Sequence, residues 1–318
     1  MVVIMGRQGG GASRQVQEVL GMLETAGFSH YSPKKSPNRQ ALRSGEDMQP
    51  AIGFGVYRVP PAETRAVVEK ALEIGFRHID TAQVYKNEKG VGEAVRSFYS
   101  SNPTESVHIT TKVWRMASPC APGFAYSAAK DSIAASLEAL GQPIDLLLLH
   151  SPGASGHVRE ETWLAMEDAY LSGNMVKALG VSNFSERHLD QLLKAAKVRP
   201  AVNQLEVHPW LQRKELCTFC KNNGIHIEAY SPLAKASCLD DPTLLEICER
   251  RGITPAQALI AWSLAKGYTP LPKSVSPSRQ AENFAAGRVS LNDEDMDALN
   301  ALEDNFVTGW DPVSSDPV

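Results

Sequence analysis

The stretch Asp131-Ser-Ile-Ala-Ala-Ser-Leu-Glu-Ala-Leu140-Gly-Gln-Pro-Ile144-Asp-Leu-Leu-Leu-Leu-His150 decides the fold. Its first part is periodic at helical spacing, with Ile133, Leu137 and Leu140 on one stripe; its second is a short apolar run that reads as a strand and stops at a histidine. The alternation extends in both directions. Short apolar, β-branched runs lie at Ala51–Gly55, Phe76–Asp80, Val107–Lys112, Ile144–His150, Ala178–Ser182, Ala201–Glu206, His226–Ser231 and Thr269–Lys273. Helix-like segments separate them at Ala62–Leu72, Gly90–Phe98, Ser127–Leu140, Glu161–Leu171, Glu186–Ala195, Arg213–Asn222 and Thr254–Lys266. Strand then helix, eight times over, predicts a parallel α/β sheet covered by helices, and the number eight favours closure into a (β/α)8 TIM barrel. Active sites of such barrels stand at the C-terminal ends of the strands, which fixes where to look.

Composition narrows the function classes. The chain has 318 residues, 43% hydrophobic and 21% charged, enough to bury a large core. That length permits two domains, but one α/β barrel also fills it. Lysine and arginine number 32 against 36 acids, a net charge of −4, which argues against a general nucleic-acid binder. No apolar run approaches the roughly 18 residues of a membrane-spanning helix, and Met1–Met5 is too short for a signal-peptide core. Five scattered cysteines read as reduced thiols, so a cytoplasmic protein without membrane or nucleic-acid partners is expected.

Four groups with proton chemistry converge on the predicted rim. The second run ends at Asp80 and is followed by Thr81-Ala-Gln-Val-Tyr85; the third ends at Lys112 and the fourth at His150. Polar groups capping apolar strands must satisfy one another or a ligand. A free tyrosine has a pKa of about 10, too high for ready exchange at neutral pH, and an ammonium beside it is expected to lower that value. A carboxylate would hold the lysine, and a histidine would orient a carbonyl oxygen or relay its proton. The set suits a general acid acting on a carbonyl, with a hydride donor as companion. The competing reading is a structural Asp80–Lys112 ion pair in the barrel mouth.

At this point the sequence closely resembles the aldo-keto reductase family. Gly53-Phe-Gly55-Val-Tyr57 resembles its first strand, and Gly75-Phe-Arg-His-Ile-Asp80-Thr-Ala-Gln-Val-Tyr85-x-Asn87-Glu88 its first signature. Ile109-Thr-Thr-Lys112-Val-Trp114, Asp145-Leu-x3-His150, Gly180-Val-Ser182-Asn183-Phe184, Asn203-Gln204-x-Glu206-x-His208-Pro209 and Pro272-Lys273-Ser274 with Arg279, Glu282 and Asn283 follow in order. The resemblance runs from about Leu42 to Trp310. It implies reduction of an aldehyde or ketone with NADPH (returning NADP+), Tyr85 giving the proton, Lys112 and Asp80 tuning it, and His150 facing the substrate oxygen. Gly55, Val56 and Asp80 would border the cofactor. Ser182, Asn183 and Gln204 would hold the nicotinamide amide, and Tyr230 would stack on the ring unless it is merely a rim aromatic. Ser231 and Leu233 would line the pyrophosphate path. Lys273, Ser274 and Arg279 suit a 2′-phosphate, so NADPH is expected over NADH, with Glu282 and Asn283 at the adenine. Tyr57 and Trp114 would wall the substrate pocket beside His150. Three lids are expected, over Arg115–Tyr126, after Leu233, and over Asn305–Val318; the last two are short, implying an open pocket for small or medium carbonyls. No metal is expected, and the chain is expected to be a monomer. Barrels of this family also serve as NADPH-binding regulatory subunits with little turnover, and the complete tetrad favours catalysis over that alternative.

Other motifs carry less. Tyr126-x3-Lys130 resembles the short-chain dehydrogenase pair, but Val113 stands where that family has a serine, and the loop Gly6–Ala12 breaks the usual glycine spacing. Tyr126 therefore reads as lid surface, Cys217-x-x-Cys220 and His78 as packing, His208 as structural, and Glu160-Glu161 and Asn292–Asp297 as helix starts with solvated faces. Residues 1–40 read as an extension ahead of a barrel over 41–318, whose Leu42–Met48 resembles the family's bottom hairpin. Gln15–Ser32 echoes Thr64–Asp80, with Ser32 where Asp80 stands, as a partial repeat would. A closed barrel has no slot for a further strand, so the extension is expected to be loosely packed and its removal to leave activity intact.

Overall fold

Four successive leucines, Leu146–Leu149, form a strand in which every side chain is buried. A strand without a polar face belongs in a parallel sheet covered on both sides. The computed structural model describes residues 51–114, 122–153, 155–173 and 175–315. Expectations for residues 1–50, and for the first lid over 115–121, lie outside these.

The described chain runs β1 (Phe54–Gly55), α1 (Pro61–Ile74), β2 (His78–Asp80), α2 (Glu88–Ser101), β3 (His108–Val113), α3 (Phe124–Leu140), β4 (Leu146–Leu149), α4 (Gly156–Leu171), β5 (Leu179–Ser182), α5 (Glu186–Ala195), β6 (Val202–Glu206), α6 (Lys214–Asn222), β7 (His226–Tyr230), α7 (Pro242–Arg251), α8 (Pro255–Ala265), β8 (Thr269–Leu271), α9 (Pro277–Ala285), α10 (Asp293–Asn300) and α11 (Pro312–Ser315). The strands are parallel and ordered β1 to β8. Gly53 N–H donates to Pro270 O and Gly55 N–H to Pro272 O, each at 3.0 Å, which ties the first strand to the last and completes the predicted (β/α)8 barrel. A side chain at Gly53 would strike Leu271 and the His78 ring, so this seam needs a residue without one.

Helix ends follow local chemistry. α5 and α8 open on capping boxes, Ser185 with His188 and Thr254 with Gln257. α1 ends on Gly75 at φ 125°, a left-handed conformation costly for any residue with a Cβ, and the Phe284 ring fills the space a Cβ would need. Cys217 and Cys220 are buried on α6, and His78 is buried in β2, as packing residues.

The structure adds helices that the periodicity did not announce: α7, α9, α10 and the short α11. It also corrects three surface assignments. Tyr126 is at the surface but not in a lid loop: it lies half-exposed in the first turn of α3 and donates its hydroxyl to Asp168 at 2.5 Å. Glu161 is not a solvated face: it is buried and accepts the backbone N–H groups of Gly123, Ala125 and Tyr126, capping α3 from the neighbouring α4. Within the Asn292–Asp297 run, Asp295 is wholly buried and meets Arg250 and Arg251, each at 2.6 Å. Burial pushes the Asp295 carboxyl up, but hydrogen bonds from Arg250, the Asn292 N–H and Arg251 outweigh it and hold the group below its ordinary value. A depressed carboxyl stabilises the fold above its unfolded value of about pH 4 and loses that contribution as pH falls through the folded value. Asp295→Asn should therefore lower the urea midpoint at pH 6, with the difference from wild type shrinking toward pH 3. An equal gap at both pH values contradicts it.

No helix among the described residues is long and apolar enough to cross a membrane.

Candidate active site

The site is built where β2, β3 and β4 end. Lys112, near the end of β3, is 1% exposed, and its ammonium donates to both oxygens of Asp80 at 2.7 Å and to Thr81 O at 2.9 Å. Asp80 is the last residue of β2 and is itself buried. Its carboxylate also accepts the Gln204 side-chain N–H at 2.8 Å. An ammonium at this depth is tolerable only because three acceptors replace its water.

Tyr85 hangs over this pair. It closes a 3-10 turn at Gln83–Tyr85, followed by Lys86 at φ 58°. A brace fixes the turn: Thr81 hydroxyl donates to Asn87 Oδ1 at 2.7 Å, and Asn87 Nδ2 donates to Val56 O at 3.0 Å. The Lys112 ammonium lies 5.2 Å from the Tyr85 ring centre. Among the described residues no hydrogen-bond partner holds the Tyr85 hydroxyl. Burial, then the charge of Asp80 and the neighbouring Tyr57, pushes the phenol well above its ordinary value. The expected lowering by the lysine is thus not what this arrangement gives, because burial and the adjacent Asp80 carboxylate both favour the neutral phenol. The resting group is the protonated phenol.

His150, just past β4, meets Tyr85 edge-on with ring centres 5.7 Å apart and an interplanar angle of 79°. Burial, then the Lys112 charge, holds its imidazole well below the ordinary value, so it is neutral. Its Nδ1 is buried without a hydrogen-bond partner among the described residues. Two aromatics flank the pair: Tyr57, 48% exposed, with its ring 5.0 Å from Tyr85, and Trp114, 4.9 Å from His150. Asp80, Tyr85, Lys112, His150, Tyr57 and Trp114 therefore come together as the sequence led us to expect.

The residues considered for a cofactor lie along the neighbouring strand ends. Ser182 donates to Gln204 O at 2.9 Å. Asn183, at φ 65°, donates to His150 O and Ser182 Oγ and accepts the Tyr230 hydroxyl at 2.8 Å. Gly55 and Val56 are buried at the end of β1. Past β7, Ser231, Ala234, Lys235 and Ala236 all have positive φ without a glycine, and Leu233 is half-buried among them. Such backbone costs free energy and concentrates at ligand-binding loops. Beyond β8, Ser274 and Asn283 are buried and Glu282 is half-buried, whereas Lys273 and Arg279 are exposed and in no ion pair among the described residues. Ser276 precedes α9 without a side-chain capping bond.

Several groups at and beneath the rim were not anticipated. Glu228, wholly buried in β7, accepts from Gln204 Nε2 at 2.6 Å. Glu206, at the end of β6, accepts from the Thr308 N–H and hydroxyl. Arg213 donates to Glu206 O and to Asp311 at 2.7 Å. The C-terminal tail, expected as a lid, is thus pinned beside Tyr230, the register neighbour of Glu206. His208 lies against this cluster, 3.5 Å from Glu206.

Comparison with known proteins agrees with this geometry. The Aldo/keto reductase family profile matches residues 51–304. The chain is 38% identical over 273 residues to glyoxal reductase of Bacillus subtilis, covering 85% of this chain and 95% of the relative. It is 41% identical over 288 residues to glycerol 2-dehydrogenase (NADP(+)) of Hypocrea jecorina, covering 80% and 88%. Among solved structures, the aldose reductase of Giardia lamblia superposes with a TM-score of 0.73 at 33% identity, covering 80% of this chain and 92% of that one. With the tetrad gathered at one end of a closed barrel and the match spanning nearly all of the described residues, the chain belongs to the aldo/keto reductase family.

Proposed function

We propose that the protein reduces an aldehyde or ketone to the alcohol with NADPH. The observation that carries this reading is the buried Asp80–Lys112 pair beneath a protonated Tyr85 whose hydroxyl no group among the described residues claims. NADPH, when bound, supplies a hydride to the carbonyl carbon. Tyr85 gives its proton to the carbonyl oxygen as charge develops there. The phenolate left behind is stabilised by the Lys112 ammonium, which Asp80 and Thr81 O hold in place, and recovers its proton from solvent. The neutral imidazole of His150 donates an N–H to the same oxygen and orients it. Tyr57 and Trp114 exclude water from the reacting face.

The donor set suits the cofactor. His150 Nδ1, buried without a hydrogen-bond partner among the described residues, supports a mouth with unspent polar capacity. Ser182, Asn183 and Gln204 would hold the carboxamide and Tyr230 would stack on the ring. Ser231 and Leu233 would border the pyrophosphate on the strained loop after β7. Lys273, Arg279 and the uncapped start of α9 suit the 2′-phosphate, since helix N-termini and cations both favour anions. The name of the Hypocrea relative, an NADP(+) enzyme, supports NADPH, and that of the Bacillus relative supports a small carbonyl substrate.

The reading is tested by following NADPH absorbance with a panel of aldehydes, ketones and sugars. NADPH that binds tightly while no carbonyl is reduced would contradict it. The double change Lys273→Ala, Arg279→Ala should weaken NADPH by about tenfold to a hundredfold and NADH by much less, because only NADPH carries the phosphate. Equal losses measured by fluorescence titration would remove the 2′-phosphate assignment.

A further inference from the structure

We infer that Glu228 is a positioning residue for the nicotinamide carboxamide: its buried carboxylate decides which end of the Gln204 amide faces the barrel mouth. The inference rests on the carbonyl-reductase reading above. Glu228 is wholly buried in β7, directly across from Gln204 of β6 in the sheet register. A carboxylate sunk in a barrel core is a liability for stability. Neither the Asp80–Lys112 pair nor the transfer of the Tyr85 proton employs it, so its use is sought in what it touches.

One group it touches is the Gln204 amide. Glu228 Oε2 accepts from Gln204 Nε2 at 2.6 Å, and the same nitrogen donates to Asp80 Oδ2 at 2.8 Å. On its other side Glu228 Oε1 lies 3.9 Å from His78 Nε2, which is itself hydrogen-bonded to Thr110 Oγ1 at 2.9 Å. A primary amide has two hydrogens on nitrogen and none on oxygen. Between two carboxylates Gln204 must turn its nitrogen to both, and both hydrogens are then spent. Only the oxygen remains for a ligand, and an oxygen accepts. The complementary group is the NH2 of a carboxamide, which fixes the rotation of the nicotinamide ring and hence where its hydride-bearing carbon stands relative to Tyr85. Without an acceptor at position 228, Asp80 alone holds one hydrogen and the amide plane swings about that single bond. Asp80 keeps Lys112 either way, so proton donation by Tyr85 is untouched.

The test separates orientation from charge and from packing. Glu228→Met keeps the side-chain length and removes the acceptor; Glu228→Gln restores an acceptor oxygen without the charge. NADPH dissociation constants come from quenching of tryptophan fluorescence in the full chain, alongside kcat and its pH profile for a reducible carbonyl. Glu228→Met is expected to weaken NADPH about tenfold and to lower kcat, with the alkaline limb of the kcat profile unmoved, while Glu228→Gln stays within about threefold of wild type. A wild-type dissociation constant in Glu228→Met overturns the inference, as does a Glu228→Gln protein as weak as Glu228→Met. If the Met variant does not fold, Glu228→Asp, which withdraws the carboxylate by one methylene, replaces it; NADPH affinity equal to that of Glu228→Gln is then the overturning result. A wild type that binds NADPH but reduces nothing refutes the functional reading and leaves the affinity comparison standing. A wild type that reduces carbonyls with Glu228→Met unaltered refutes this inference alone.

Discussion

Tyr85→Phe is expected to lower kcat for carbonyl reduction by about 10²- to 10⁴-fold, the range contributed by a single general acid. It should leave the NADPH dissociation constant within about twofold, a difference well under 1 kcal/mol. The ring stays, and with it the contacts to Tyr57 and His150; only the donated proton goes. The pH dependence carries its own sign. Reduction needs the phenol protonated, and burial pushes this phenol well above its ordinary value. Reductive turnover should therefore persist to alkaline pH and decline only as pH rises through the raised value. A wild-type acidic or neutral limb that survives in Tyr85→Phe belongs to another group, whereas full turnover in that variant would remove Tyr85 from the reaction.

Lys112→Met should cost more in stability than any other single change at the site. Removing one partner of a buried ion pair leaves the other charge uncompensated, a loss of about 3–5 kcal/mol. Here the abandoned charge is Asp80, 5% exposed, which loses both Lys112 bonds and, among the described residues, keeps the Gln204 N–H. The double variant Asp80→Asn, Lys112→Met should regain much of that stability, since no buried charge is then orphaned, while turnover stays lost because nothing stabilises the Tyr85 phenolate. Urea unfolding of the wild type, the single variant and the double variant separates the two effects. A single variant as stable as wild type would mean that the pair is far better hydrated than its burial implies.

The barrel and the tetrad were legible because both are written in strand ends. All but the first of the apolar runs are closed by a polar group, and the β2–β3 register, Asp80 opposite Thr110, puts Asp80 and Lys112 on one face. What was not legible depends on tertiary packing. The start of α3 gives no local signal: Gly123 precedes it without a capping side chain, and the cap comes from Glu161 on α4. Tyr126 was misplaced for the same reason. α7 hides because its buried stripe is only Leu244, Ile247 and Cys248 within a charge-rich segment. The direction of the Tyr85 shift is set first by how deeply the packed barrel mouth buries the phenol, which no spacing encodes. Glu228 did leave a trace, since His226, Glu228 and Tyr230 alternate with Ile227 and Ala229, but a polar residue in a strand reads equally well as a solvent face.

The pinned tail carries a consequence for biosynthesis. Glu206 and Arg213 wait for Thr308 and Asp311, partners synthesised roughly a hundred residues later. Until residues 308–311 have been synthesised, Glu206, on the strand beside Tyr230, and Arg213, seven residues on, lack these partners and keep only closer ones such as His208 and the Glu206 carbonyl. The edge of the vestibule beside Tyr230 is therefore completed only after residues 308–311 emerge. A premature stop shortly before Thr308 would release a chain with all its strands present and its entrance unfinished.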